Sequence, residues 1–174
     1  ELNQILDLVA QSNAKALLIR SLKKGSYVVG ADINLIQSLK GEDEARSASV
    51  EGQAVFNKLE DLKIPTLAAI DGPCMGGGTE MSLACKHRIA SDNAKTAIGL
   101  PEVKLGLLPG WGGTYRLPRL IGLPESLGMI LEGKGIRADK AEKMGLVDTV
   151  VPATLFHEKA LEAAKSLAAG KGIP

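Results

Sequence analysis

Three consecutive glycines, Gly76 to Gly78, stand between a run that reads as a buried strand, TLAAI over residues 66–70, and one that reads as a helix, EMSLAC. Glycine loses more backbone freedom on folding than any other residue, so a triplet marks a place where the backbone must turn tightly or come close to something. A strand, a glycine loop and a helix in that order present the unpaired amides of the first helical turn. The helix dipole adds partial positive charge there. Such a site cradles a phosphate or stabilises an oxyanion. A tight turn with close helix–strand packing is the alternative for the glycines taken alone.

The remainder of the chain repeats the alternation. Leu2, Ile5, Leu6 and Val9 share one face of a helix at the start. LLIR, residues 17–20, reads as a second buried strand, and a long helix is expected over residues 42–63, ended by Pro65. Short helices are expected in TYRLPRLIG, PESLGMILEG and ADKAEKMG, a strand in DTVVP, and an amphipathic helix in LFHEKALEAAKSLAAG. The stretch TAIGLPEVKLGLLPGWGG reads as irregular. Alternating strands and helices imply an α/β fold with parallel strands and crossover helices. In such folds sites form where loops leave the carboxyl ends of strands. Three loops qualify: after residue 20, after residue 70, and around residues 99–113.

Composition narrows the function classes. Lys and Arg number 21 against 20 Asp and Glu, a net charge of +1 that gives no argument for nucleic acid. No apolar run approaches the roughly 20 residues of a membrane span. Two cysteines, Cys74 and Cys85, make no disulfide framework and point to a reducing compartment. Aromatic residues are 3 % of the chain, so Leu, Ile, Val and Ala must build the core.

The glycine loop fails as a phosphate cradle. Thr79-Glu80 follows it where a Walker loop has Lys-Ser/Thr, and GGGTEM lacks the last glycine of a dinucleotide fingerprint. A carboxylate in the first helical turn repels a polyphosphate, but tolerates a neutral carbonyl that becomes an enolate only during reaction. Glu102, in IGLPEVKLGLLPG, lies among apolar residues with only Lys104 close by in sequence. Two carboxylates sharing a site can divide into acid and base, because environment separates their pKa values. A metal site is the weaker reading, since His87 is the only nearby imidazole and no ligand spacing recurs. In VVGADI, an exposed Ala31 amide after Gly30 could supply a second donor, with an ordinary turn as the alternative.

Taken together, GSYVVGADI, IPTLAAIDGPCMGGGTEMSLACKHRIA, GLPEVKLGLLPGWGGTYRLPRLIG and ADKAEKMGLVDTVV resemble the enoyl-CoA hydratase/isomerase (crotonase) family in order and spacing. Within it, the chain is similar to the hydratase part of the multifunctional fatty-acid oxidation α subunit. The resemblance implies a crotonase-like core of repeated β-β-α units forming a spiral, here one domain over residues 1–174. Family domains are longer at both ends, so an N-terminal β segment and a C-terminal helical region are expected to be missing. Carried over residue by residue, Ala31 and Gly77 match the two oxyanion-hole amides, and Glu80 and Glu102 the two catalytic glutamates. Gly30, Asp32, Ile33, Gly76 and Gly110 match positions that border the substrate. Trp111 and Tyr115 depart from the smaller or amide residues expected there.

The implied activity is syn addition of water to a trans-2-enoyl-CoA, with coenzyme A as part of the substrate and no separate cofactor. Conversion of 3-enoyl-CoA to 2-enoyl-CoA is the alternative, as is an inactive core that binds acyl-CoA or packs in an assembly. The implied partners are an acyl-CoA thioester and either further copies of the chain or a fatty-oxidation complex. The implied compartment is the bacterial cytoplasm in preference to the mitochondrial matrix. Lys104, Arg116 and Arg119 read as a solvated basic face able to attract the CoA phosphates. His157 reads as a surface residue.

Overall fold

A computed structural model describes residues 1–23, 25–30 and 38–174. Ala31, Asp32 and Ile33 therefore lie outside the described residues. Seven strands form two sheets among those described. β1 (Leu17–Arg20), β2 (Thr66–Ile70), β4 (His87–Ser91) and β7 (Thr149–Val151) pair in that order, all parallel. β3 (Pro73–Met75), β5 (Ala97–Gly99) and β6 (Ile136–Arg137) form the second sheet, parallel between β3 and β5 and antiparallel between β5 and β6. Val29 extends it through a parallel bridge to Met75.

Among the described residues the α-helices are α1 (Leu2–Gln11), α2 (Glu42–Glu60), α3 (Gly77–Ala84), α4 (Gly113–Ile121), α5 (Leu123–Glu132), α6 (Ala138–Lys143) and α7 (Phe156–Ala168). The expected β-β-α repeat is present. β2–β3–α3 and β4–β5–α4 are successive turns, each placing its first strand in the four-stranded sheet and its second in the other.

Period-two alternation in β2 explains the layering. All five of its residues are buried, which suits a central parallel strand covered on both faces. Leu67 and Ala69 face one way and pack, with Ile89, against Phe156, Ala160, Ala163 and Leu167 of α7. Ala68 and Ile70 face the other way, into the main core with Leu6 of α1, Phe56 and Leu59 of α2, and Met81 and Leu83 of α3.

Several details differ from the sequence reading. Three short strands, β3, β5 and β6, fall in stretches read as loop, so the glycine triplet follows β3 and not β2. Segments of two or three residues are too short to show periodicity. α2 ends at Glu60, not Lys63, capped by Asp61, whose N–H donates to the Asn57 carbonyl, ahead of Ile64, whose place before Pro65 disfavours the helical region. The chain must already be extended to enter β2, and Lys86 holds that exit through the Leu62 and Ile64 carbonyls. Ile5 is 45 % exposed; only Leu6 of α1 is fully buried, with Leu2 and Val9 half-covered.

Gly77 and Gly78 are helical, not loop. A methyl group on Gly78 would lie 2.2 Å from the Val28 carbonyl oxygen, so α3 packs directly on the 27–30 segment. Gly78→Ala should therefore destabilise the fold by about 1–3 kcal/mol through forced backbone movement. Gly128, inside α5 with open space around it, is the control: Gly128→Ala should stabilise by about 0.5–1 kcal/mol through helix propensity. Urea denaturation of the two variants checks both signs.

Candidate active site

α3 begins at Gly77, so Glu80 stands on its first turn with its side chain turned inward, 2 % exposed. Its own amide closes that turn on the Gly76 carbonyl at 3.0 Å. A buried carboxylate needs donors, and two backbone amides supply them. The N–H groups of Trp111 and Gly113 each donate to Glu80 Oε1 at 2.8 Å. Among the described residues nothing donates to the other oxygen, Oε2. The fork is made by the turn leading into α4, where Gly112 has φ of +111°, a conformation closed to most side chains.

Arg116, one turn into α4, lies beside this site and is itself 6 % exposed. It donates to Glu60 Oε2 (2.8 Å), Asn57 Oδ1 (2.6 Å) and the Trp111 carbonyl (3.1 Å). This corrects the reading of Arg116 as part of a solvated basic face. Its charge is bound to α2, while Lys104 and Arg119 are exposed as expected.

Glu102 stands on a 3-10 turn, Pro101–Leu105, that follows β5. Pro101 at the turn's start fixes the backbone for it. A methyl on Gly76 would lie 3.0 Å from Glu102 Oε1 and 3.4 Å from Gly30 Cα. Gly30, Gly76 and Glu102 are therefore brought together, and Gly76, with φ of +56°, can carry no side chain there. Gly30 is tied to β3 by its amide, which donates to the Met75 carbonyl at 2.8 Å. Glu102 Oε2 is buried and has no hydrogen-bond partner among the described residues.

Electrostatics separate the two acids. Burial raises both carboxyls above their ordinary value. For Glu80 the Gly113 and Trp111 amides and the Arg116 charge oppose that rise. For Glu102 only its own backbone amide opposes it, and the Glu80 charge raises it further. Glu80 is thus the better-supported anion and Glu102 the better-supported neutral acid. Such a pair can take a proton on one side and give one on the other.

The remaining sequence candidates fall as follows. Gly77, the first helical residue, has an N–H with no intrahelical acceptor. Gly110 is half-buried next to Trp111, and its carbonyl accepts from Gln53 Nε2 at 2.8 Å. An open polar cleft of about 590 Å³ lies between α2 and residues 109–116, and neither carboxylate lines it. Cys74 is buried beneath the glycine segment, its thiol pushed up to about 12 by burial. His157 is exposed. Among the described residues no three His, Cys, Asp or Glu side chains group as metal ligands, and no helix is long and apolar enough to cross a membrane. Sequence reading missed the amide fork and the burial of Arg116. The glycine pair in GWGG was the one signal that pointed to the fork.

A family model described as enoyl-CoA hydratase/isomerase matches residues 1–173. The fatty acid oxidation complex subunit alpha of Shewanella baltica is 50 % identical over 175 aligned positions, covering 100 % of this chain and 24 % of that protein. The subunit of the same name from Shewanella frigidimarina is 51 % identical over 166, covering 95 % and 23 %. The chain therefore spans less than a third of the length of these relatives. The crystal structure of an enoyl-CoA hydratase from Bacillus anthracis superposes with a TM-score of 0.89 at 38 % identity, covering 96 % of this chain and 64 % of that one.

The unpartnered Glu102 oxygen has a measurable consequence. A carboxyl whose pKa is raised by folding stabilises the fold in its protonated form, and that contribution is lost as pH rises through the raised value. Glu102→Gln removes the titration and keeps the shape. The variant should match the parent below the ordinary carboxylate range and exceed it increasingly above. Urea midpoints across that pH range test this, and equal midpoints throughout would remove the buried-acid description.

Proposed function

The chain belongs to the enoyl-CoA hydratase/isomerase family, and from that premise we propose that it is the hydratase of a fatty-acid β-oxidation enzyme. Its substrate on this reading is a trans-2-enoyl-CoA. The observation that carries the reading is the pair of desolvated, differently supported carboxylates, Glu80 and Glu102, close enough for the Glu80 charge to raise Glu102. Hydration of an α,β-unsaturated thioester needs a base for water and an acid for the α-carbon. An isomerase that only shifts one proton needs a single acid–base group, so two glutamates favour hydration.

In the proposed reaction a water is held between the two carboxylates. Glu80 Oε2, the oxygen left open by the amide fork, takes the water proton as the oxygen adds to the β-carbon. The π electrons move toward the carbonyl, and negative charge develops on the thioester oxygen. The Gly77 amide donates to that oxygen, at the N-terminus of α3 where the dipole also favours charge. The second donor, expected at Ala31, rests on the family resemblance. Glu102 then delivers its proton to the α-carbon on the same face. The two glutamates have exchanged protonation states and return to the start by proton exchange with water. The reaction as written draws on no metal or redox group, and coenzyme A enters as part of the substrate.

The names of the Shewanella relatives support placing the chain in the α subunit of a fatty acid oxidation complex, and a bacterial cytoplasm as its compartment.

Loss of the enoyl thioester absorbance with crotonyl-CoA tests the function. The assay compares the 174-residue chain with a version extended at both ends to the length of hydratase relatives. Glu80→Gln and Glu102→Gln should each lower kcat by about 10²–10⁴ with little change in KM. The profile of kcat/KM against pH should be bell-shaped, rising as Glu80 ionises and falling as Glu102 does, with apparent values that belong to the pair. Full turnover in either variant would end the assigned roles, and turnover of 3-enoyl-CoA alone would favour the isomerase.

A further inference from the structure

Trp111 is tied to the candidate base through its backbone and to α2 through its side chain. Its N–H donates to Glu80 Oε1, while its indole lies against the face of α2 formed by Ala48, Gly52 and Phe56. Those three residues are spaced four apart and share one side of the helix. The indole Nε1–H donates to the Ala48 carbonyl at 3.3 Å. The ring meets Phe56 edge-on, at 5.7 Å between centroids and 85° between planes. Gly52 makes the fit possible: a methyl group there would lie 2.2 Å from both Cδ1 and Nε1 of the indole. α2 is notched by one residue to receive one side chain.

The segment that carries the amide fork, residues 109–113, has little else to hold it. Gln53 of α2 binds the Gly110 carbonyl and Arg116 binds the Trp111 carbonyl. Arg116 is in turn held by Glu60 and Asn57 of α2. Apart from the two bonds to Glu80 itself, every side-chain hydrogen bond of this segment among the described residues thus traces to α2, directly or through Arg116. We propose that Trp111, seated in the Gly52 notch, is the positioning residue that aims the amide fork at Glu80, so that the placement of α2 sets the strength of the base.

This rests on the reading of Glu80 as the base of a hydratase, but its first test does not. Trp111 is the only tryptophan in the chain, so fluorescence excited beyond tyrosine absorption reports this one indole. Its emission should show a pH-dependent step as Glu80 titrates, lost in Glu80→Gln. Among the described residues, the other charged groups around Glu80 are Glu102 on the 3-10 turn, Arg116 on α4, and Glu60 on α2 acting through Arg116. β3 and α3 contribute no further charge, since the Cys74 thiol stays neutral with its value pushed up to about 12. A step that persists in Glu80→Gln and vanishes in Glu102→Gln would assign it to the wrong acid and overturn the proposal.

Gly52→Ala then displaces the indole without touching the site. Its emission should shift toward that of an exposed indole, and the Glu80 step should move to higher pH, because a misaimed fork supports the anion less. In the extended, active protein kcat should fall at least about tenfold with KM little changed, and the acidic limb of the kcat/KM profile should move upward with the fluorescence step. Trp111→Ala should reproduce that limb, and Gly52→Ala added to it should cost nothing more, since the two residues act as one unit. Trp111→Phe, which keeps a ring in the notch, should recover most of the loss and remains informative if the alanine variants fold poorly. A Gly52→Ala protein with an unmoved acidic limb and an unmoved fluorescence step would refute the device. If the parent shows the fluorescence behaviour but no hydration, the functional reading fails while the coupling of Trp111 to Glu80 stands.

Discussion

The burial of the Glu80 carboxylate is the constraint around which the neighbouring structure is arranged. An ionised carboxylate removed from water must be given donors or it takes a proton instead. α3 cannot provide them, because its own amides beyond the first turn are spent on the helix. They come from Trp111 and Gly113, more than thirty positions away in sequence. To bring those two amides to one oxygen the chain must leave β5, pass the Pro101–Leu105 turn and fold back through a left-handed Gly112. α4 then starts beside α3, and Arg116 falls where its charge also supports the anion. The packing of α4 on α3 and the Arg116 contacts to α2 both follow from the need to satisfy that one group.

The same reasoning shows why glycine occurs in three different roles within a few residues. Gly76 gives way to Glu102 and to the 27–30 segment, Gly78 gives way to the Val28 carbonyl, and Gly77 offers an amide. Only the first has a left-handed backbone; the second is an ordinary helical residue that lacks room for a methyl. The sequence signal is identical for all three, and only the neighbours tell them apart. This is why the triplet could be read as a close-approach site at a helix start, but the part each glycine plays could not.

What was legible in the sequence depended on whether the information lay in side chains. Glu80 and Glu102 stood out because carboxylates in apolar, glycine-rich surroundings are unusual, and the strands β1 and β2 because LLI and LAAI are recognisable apolar runs. The amide fork was hidden, since every residue other than proline carries the same N–H. Gly52 gave no warning either: in a charged helix it reads as a weak spot, and its meaning appears only with the indole of Trp111, far away in sequence, in its place. Arg116 was misread because its partners, the Asn57 amide and the neutralising Glu60 carboxylate, sit on a helix that sequence alone could not bring near.

The separation of the two acids needs no difference in their chemistry. Both are glutamates and both are desolvated, and the Glu80 charge raises Glu102 further. What distinguishes them is their support: two donating amides and a nearby guanidinium charge for Glu80, against an oxygen with no partner among the described residues for Glu102. Because all three supports of Glu80 belong to residues 111–116, and that segment hangs on α2, the acid–base asymmetry is a property of the docking between two elements and not of either carboxylate. On the proposed coupling, a change at position 111 or 52 leaves both glutamates in place and still weakens the support of the Glu80 anion.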